Sequence, residues 1–270
     1  MDTQKNGQEP QAVPLTSDLV FKYVFGGEHS AGYLRSLFSA VREDVGYPAV
    51  TSVEITNPFN VQDAIDSIQS VAGVRARDAE GNTFVVEVHS CNHKAFQSQV
   101  LYHWARTYSG QFREDDYYTK PDPLIGINLL GFRHFPEEAG VPRHTTFVPR
   151  SMNAPALPPL PDMVLHFLEL PQYDLQTQAP STALERWLYF IVNRGKEDAM
   201  KDPIMRQILE ESPDIAEAER RYEELIADEQ LKSRLDARGK SIRTQAQLLH
   251  DAEERGKEEC KAAGRTKDRF

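Results

Sequence analysis

Hydrophobic and polar positions change period twice along this chain of 270 residues. From Ser17, the segments SDLVFKYVFGG and AGYLRSLFSAVRED place Phe21, Val24, Leu34, Leu37, Phe38 and Val41 three and four apart. That spacing predicts two short amphipathic helices, with Ser17 or Asp18 as the first N-cap. Residues 50–56, 70–78 and 83–90 are instead short runs rich in β-branched residues, and AEGN between the last two reads as a hairpin turn. A meander of three strands is the simplest arrangement. Residues 93–112 return to helical spacing through Phe96, Val100, Trp104 and Tyr108. The continuous apolar run PLIGINLLGF (123–132) suits a central buried strand, and MVLHFLEL (163–170) suits another. The loop NAPALPPLP (153–161) reads as an extended connection rather than a domain linker, because the strand after it needs a sheet to join. After Pro180 strand signals stop, and three helical segments succeed them with Ser, Asp or Ser-Pro at their starts. The predicted architecture is α/β first and all-helical afterwards.

The expected organisation is a flexible N-terminus over 1–16, an α/β domain over 17–180, a helical subdomain over 181–227 and a charged helical tail over 228–270. In that tail Leu235, Ile242 and Leu249 recur every seven residues, with Leu231 and Ala252 near the other heptad position. Two outcomes fit: a weak coiled-coil seam that makes a homo-oligomer through residues 228–262, or a helix packed back on its own domain. Charge separates the two halves. The formal net charge is −10, yet residues 214–270 hold 14 acidic and 13 basic side chains, so the excess belongs to the α/β part. A net acidic surface repels phosphate unless its Lys and Arg are gathered on one face, which counts against nucleic acid on composition alone. No stretch is apolar enough to cross a bilayer, and Cys91 and Cys260 form no disulfide framework. A cytoplasmic protein with no membrane contact is the expectation.

One residue is out of character with its surroundings. Glu87 sits inside a strand that otherwise reads Phe84, Val85, Val86 and Val88, and a buried carboxylate is costly unless paired, hydrogen-bonded or bound to metal. Alternation puts Val85, Glu87 and His89 on one face of that strand. The bland explanation is a half-exposed face.

Several pieces in order resemble a known family: SDLVFKYVFG, NPF at 57–59, the strand from Gly81 to His89, LYHWARTYSGQF, DDYY before PLIGINLLGF, HFLELPQY, the ERWLYF helix and a charged tail with AEERGKEEC. Together they resemble the Rpn group of recombination-promoting nucleases, the PD-(D/E)XK nuclease family transposases. The resemblance implies a restriction-endonuclease-like core, a mixed central sheet flanked by helices, with DNA as substrate and Mg²⁺ or Mn²⁺ as cofactor. It also implies an Asp on one strand and a Glu on the next as metal ligands, with a Lys or Gln two residues after the Glu positioning the attacking water. Laid on this chain, the Glu falls on Glu87, the Asp on Gly73, and the Lys or Gln on His89. Two further family positions fall on Ile68 and Gln99. Two of three catalytic elements are thus changed. Two functions are compatible with that change: a metal-dependent endonuclease in which His89 serves as general base, or a non-catalytic descendant acting as a binding or regulatory partner.

Other residues are candidates for the same roles. Asp78 has the wrong parity to replace the missing Asp, while Asp66, Glu28 or Glu54 would have to converge from elsewhere. If the scaffold is intact, Gly73→Asp is expected to raise metal affinity. Cys91, His93 and His103 beside Glu87 and His89 suggest zinc donors, although no usual ligand spacing is present. Arg75, Arg77, Lys94, Arg106 and Arg113 line up as a phosphate groove, but Glu114, Asp115, Asp116 and Asp122 come directly after and favour a surface of mixed charge. Trp104, Tyr102 and Tyr108 read as core.

Overall fold

The computed structural model describes residues 13–60, 73–112, 121–173, 179–196, 198–241 and 244. Six strands form one mixed sheet in the order β1-β2-β3-β4-β6-β5. β1 (Glu54–Ile55), β2 (Val74–Arg77) and β3 (Thr83–His89) are the predicted antiparallel meander. β4 (Leu124–Leu130) lies parallel to β3, and β6 (Met163–Glu169) lies parallel to β4. The far edge is β5 (His144–Phe147), antiparallel to β6. Sequence reading missed β5 because four residues, HTTF, are too short for an alternation to register.

Side chains alternate across the sheet, so its two faces carry different cores. On one face Phe84, Val86, Ile125, Ile127, Leu129 and Leu168 pack with α1 (Asp18–Phe25), α2 (Ala31–Asp44), α4 (Ala183–Asn193), α5 (Pro203–Glu211) and α6 (Pro213–Ala227). On the other, α3 (Phe96–Ser109) lays Phe96 and Val100 on Leu130, Leu165 and Phe167. β4 is covered from both sides, which is why its whole length is apolar but for one residue. α1 is buried almost all round, as its run of hydrophobic positions requires.

Local signals agree with these elements. Thr182 and Glu185 form a capping box at the start of α4, and the Asp202 side chain accepts from Ile204 N ahead of Pro203 in α5. Ser17 occupies the N-cap of α1 with extended backbone, but its side chain makes no capping bond.

Residues on either side of the expected α/β domain pack into its core. The fold is already packed at Val13 and Leu15, before Ser17. Leu15 N donates to Arg194 O at 3.2 Å, and the Tyr222 hydroxyl donates to Val13 O at 2.6 Å. Gly195, at φ +99, permits this approach, since a Cβ there would lie 2.4 Å from Val13 O. Two apolar residues around a proline carry no periodicity, so this docking was invisible in the sequence. The helices after Pro180 share one core with α1 and α2, as the contact of Trp187 with Phe25 illustrates. Residues 229–241 are helical too, and Leu235 is buried in that same core, so the tail folds back on its own domain as far as it is described. Ile242, Leu249 and Ala252 lie outside the described residues. Among the described residues no helix is long and apolar enough to cross a membrane.

Candidate functional site

Glu87 faces α3 across a narrow slot lined also by His103, Trp104, Thr107 and Asn128. Its partners come from several elements. From α3, His103 Nδ1–H donates to Glu87 Oε2 at 3.3 Å. From β3 itself, His89 Nε2 lies 3.6 Å from the same oxygen. From α1, the buried ammonium of Lys22, paired with Asp18 at 2.7 Å, adds a positive charge that acts on Glu87. Nothing in the spacing of SDLVFKYVFG marks Lys22 for this place.

These contacts set the charges. Burial pushes the Glu87 carboxyl up, but the His103 hydrogen bond and the charges of His89, His103 and Lys22 outweigh it and leave it below its ordinary value. His103 moves the other way: the bond to Glu87 raises it against its partial burial. His89 is held below its ordinary value by burial, against the pull of Glu87 and Asn128. The corner therefore favours the ionised form of the Glu87 carboxyl and of the His103 ring and disfavours a proton on His89.

Asn128 joins the corner from β4, a residue to which the sequence alone gives no role. It is the one polar side chain in β4 and is only 4% exposed. Its Nδ2 donates to His166 O at 3.2 Å, which turns Oδ1 to accept from His89 Nε2–H at 3.0 Å. The neutral ring of His89 is thereby fixed with its lone pair on Nδ1. The available signal was an amide inside an apolar strand, which must be hydrogen-bonded to be tolerated.

Gly73 stands one step beyond the Val74 and Val86 pair, directly across from Glu87. Asn57 of the NPF segment pins it there, donating from Nδ2 to Gly73 O at 3.0 Å while its Oδ1 accepts from Arg75 N at 2.6 Å. A Cβ at Gly73 would fall 2.0 Å from Val86 O and 2.7 Å from Glu87 Cγ. No side chain enters here unless the strands move, so the gain in metal affinity expected of Gly73→Asp has no room to arise.

The remaining candidates are scattered. Asp78 is spent on the β2–β3 turn, accepting from Asn82 N and Nδ2 at 2.7 Å each. Glu28 and Glu54 are exposed. Asp66, Ile68, Arg113, Glu114, Asp115 and Asp116 lie outside the described residues. Of the zinc suggestion, only His89 and His103 reach Glu87; Cys91 is exposed, and His93 bonds Gln99 at 2.9 Å. Arg75 bonds Thr107 and Arg77 pairs with Asp122 at 2.8 Å, so both arginines of β2 are engaged within the chain. Trp104 and Tyr108 stack at 4.9 Å against the sheet side of α3, whereas Tyr102, expected in the core, is 60% exposed on its outer side.

A magnesium-type centre asks for several oxygen donors. This corner offers one carboxylate already hydrogen-bonded to His103, one amide oxygen taken by His89, and imidazole nitrogens, which suit other ions better. Among the described residues no group of three or more His, Cys, Asp or Glu is arranged to hold a metal ion. The donor set does not fit the Mg²⁺ or Mn²⁺ that the resemblance implies.

An antiparallel meander feeding a parallel block, with helices on both faces and a carboxylate inside β3, is a restriction-endonuclease-like α/β fold. A family model described as PD-(D/E)XK nuclease family transposase matches residues 15–252, and the chain belongs to that family. No curated protein and no solved structure matches it.

Proposed function

We propose that this chain is a DNA endonuclease by descent in which metal-dependent phosphodiester hydrolysis is weak or lost, and which acts in the cytoplasm through binding. The observation that carries this reading is Gly73: the space where the partner carboxylate of Glu87 belongs is filled by the Val86 carbonyl. His89, at the water-positioning place, supports it as well, since its Nε2–H is committed to Asn128. Any residual cleavage depends on Glu87 as ligand and on the Nδ1 lone pair of His89. The test is supercoiled plasmid incubated with the purified chain and Mg²⁺ or Mn²⁺ beside a Glu87→Ala control. Both proteins should leave the plasmid equally intact; nicking that disappears with Glu87→Ala would show a working nuclease.

A second reading, a regulatory protein that assembles through its C-terminal helices, is favoured by the seven-residue spacing of Ile242 and Leu249. Leu235 is used inside the chain, so any such seam starts beyond residue 241. Light scattering should then give a larger species for the full chain than for one ending at Ser241. Equal monomers would remove this reading.

A further inference from the structure

Across the sheet from Glu87 lies a second cluster of titratable groups, on the face covered by α2. His144 Nδ1–H donates to Asp44 Oδ2 at 2.7 Å. His144 Nε2 faces His166 Nδ1 at 3.0 Å, and Thr146 Oγ1 lies 3.1 Å from that same nitrogen. His166 is 1% exposed and the His144 side chain 3%. We propose that Asp44, His144, His166 and Thr146 form an acid-released latch that holds edge strand β5 against β6 and the end of α2.

The reason is a count of hydrogens. In neutral His144 the bond to Asp44 uses the only N–H, so Nε2 is a lone pair that accepts the hydrogen of His166 Nδ1. One further proton is tolerable: a charged His144 donates to Asp44 and to His166. Protonating both rings sets two N–H groups head to head with no solvent to separate them. Such a latch exists only while the pair carries fewer protons than it would bind in water.

The surroundings reinforce this. Asp44 and Arg42 face the rings from α2, Thr146 from β5, and from β4 the amide of Asn128 holds the His166 carbonyl. Asp44 alone among these favours a proton, and Arg42, 3.9 Å from Asp78, opposes one. Burial, then the charges of His144 and Arg42, push His166 down to about 3. Burial also lowers His144, against the pull of Asp44.

Both folded-state values lie below the ordinary 6.5, so the closed latch is fully stable above that pH and loses stability as pH falls below it. Opening becomes up to about tenfold easier per pH unit for each ring that takes up a proton. β5 is suited to local release, being four residues long and paired on one side to β6. The latch is independent of whether the chain cleaves DNA.

The test is amide hydrogen exchange of the full chain near pH 7.5 and near pH 5, corrected for the intrinsic rate, with His Cε1–H titrations in the same samples. Protection of residues 144–147 should fall by about tenfold or more at the lower pH while β3 and β4 keep theirs. His166→Asn should make that dependence shallower. Unchanged protection of β5, a loss shared equally by β4, or a His166 that titrates near 6.5 in the folded wild-type chain would overturn the latch. The wild-type arms decide the matter alone if the variant does not fold.

Discussion

Two clusters of carboxylate and imidazole sit on opposite faces of one sheet and shift their histidines in opposite directions. At the Glu87 corner the histidine contact is long, 3.3 Å, yet His103 is raised. At the latch the contact is short, 2.7 Å, yet His144 is lowered. Distance to the carboxylate does not decide the direction of the shift. His103 has a side chain 40% exposed, so water shares the cost of its proton, whereas the His144 side chain is enclosed and desolvation prevails. The sheet thus favours a proton on the histidine at its rim and disfavours one on the histidines in its core, with Asn128 bonded to both His89 and the His166 backbone between them.

The largest effect that tests this contrast is in stability. His144→Leu strips Asp44 of its donor and leaves the His166 Nδ1–H buried, which should cost about 2–4 kcal/mol in chemical denaturation. His103→Leu, at a solvent-screened pair, should cost less than about 1 kcal/mol. Equal losses would mean that burial does not separate the clusters. Next in size is Gly73→Ala, where a methyl group against the Val86 carbonyl should cost about 1–3 kcal/mol. An unchanged unfolding midpoint would show that β2 gives way and that a carboxylate can be rebuilt there.

The smallest effect is electrostatic. Glu87→Gln should leave stability nearly unchanged but let His103 fall back toward its ordinary value, read by its ring proton shifts. The attraction it removes is present above the lowered pKa of Glu87 and is lost as pH rises through the raised pKa of His103. A His103 titration that ignores the substitution would break the pairing.

Much of the scaffold is legible from period alone. The meander, the buried central strand, α3 and the capped helices after Pro180 all carry long or strongly patterned signals. Val13, Leu15 and β5 do not, because their structure comes from partners far along the chain: Arg194 and Tyr222 for the first two, β6 for the last. Within the candidate site, Glu87 and His89 stand out because polar groups are costly in a β-branched strand. His103 drew notice only as a possible zinc donor, and Asn128 and Lys22 were hidden inside apolar segments. Their importance lies in which atoms they meet, and spacing along one strand or helix does not encode a meeting between β3, β4, α3 and α1.

The central claim is that this chain keeps the family fold while its corner no longer suits a divalent ion. Titrating the full chain with Mn²⁺ and following the ring signals of His89 and His103 tests it directly, because a paramagnetic ion at Glu87 broadens its neighbours whatever the activity. Weak, unsaturable broadening, identical in Glu87→Ala, is the expected result. Saturable broadening at low metal concentration that Glu87→Ala abolishes would contradict it.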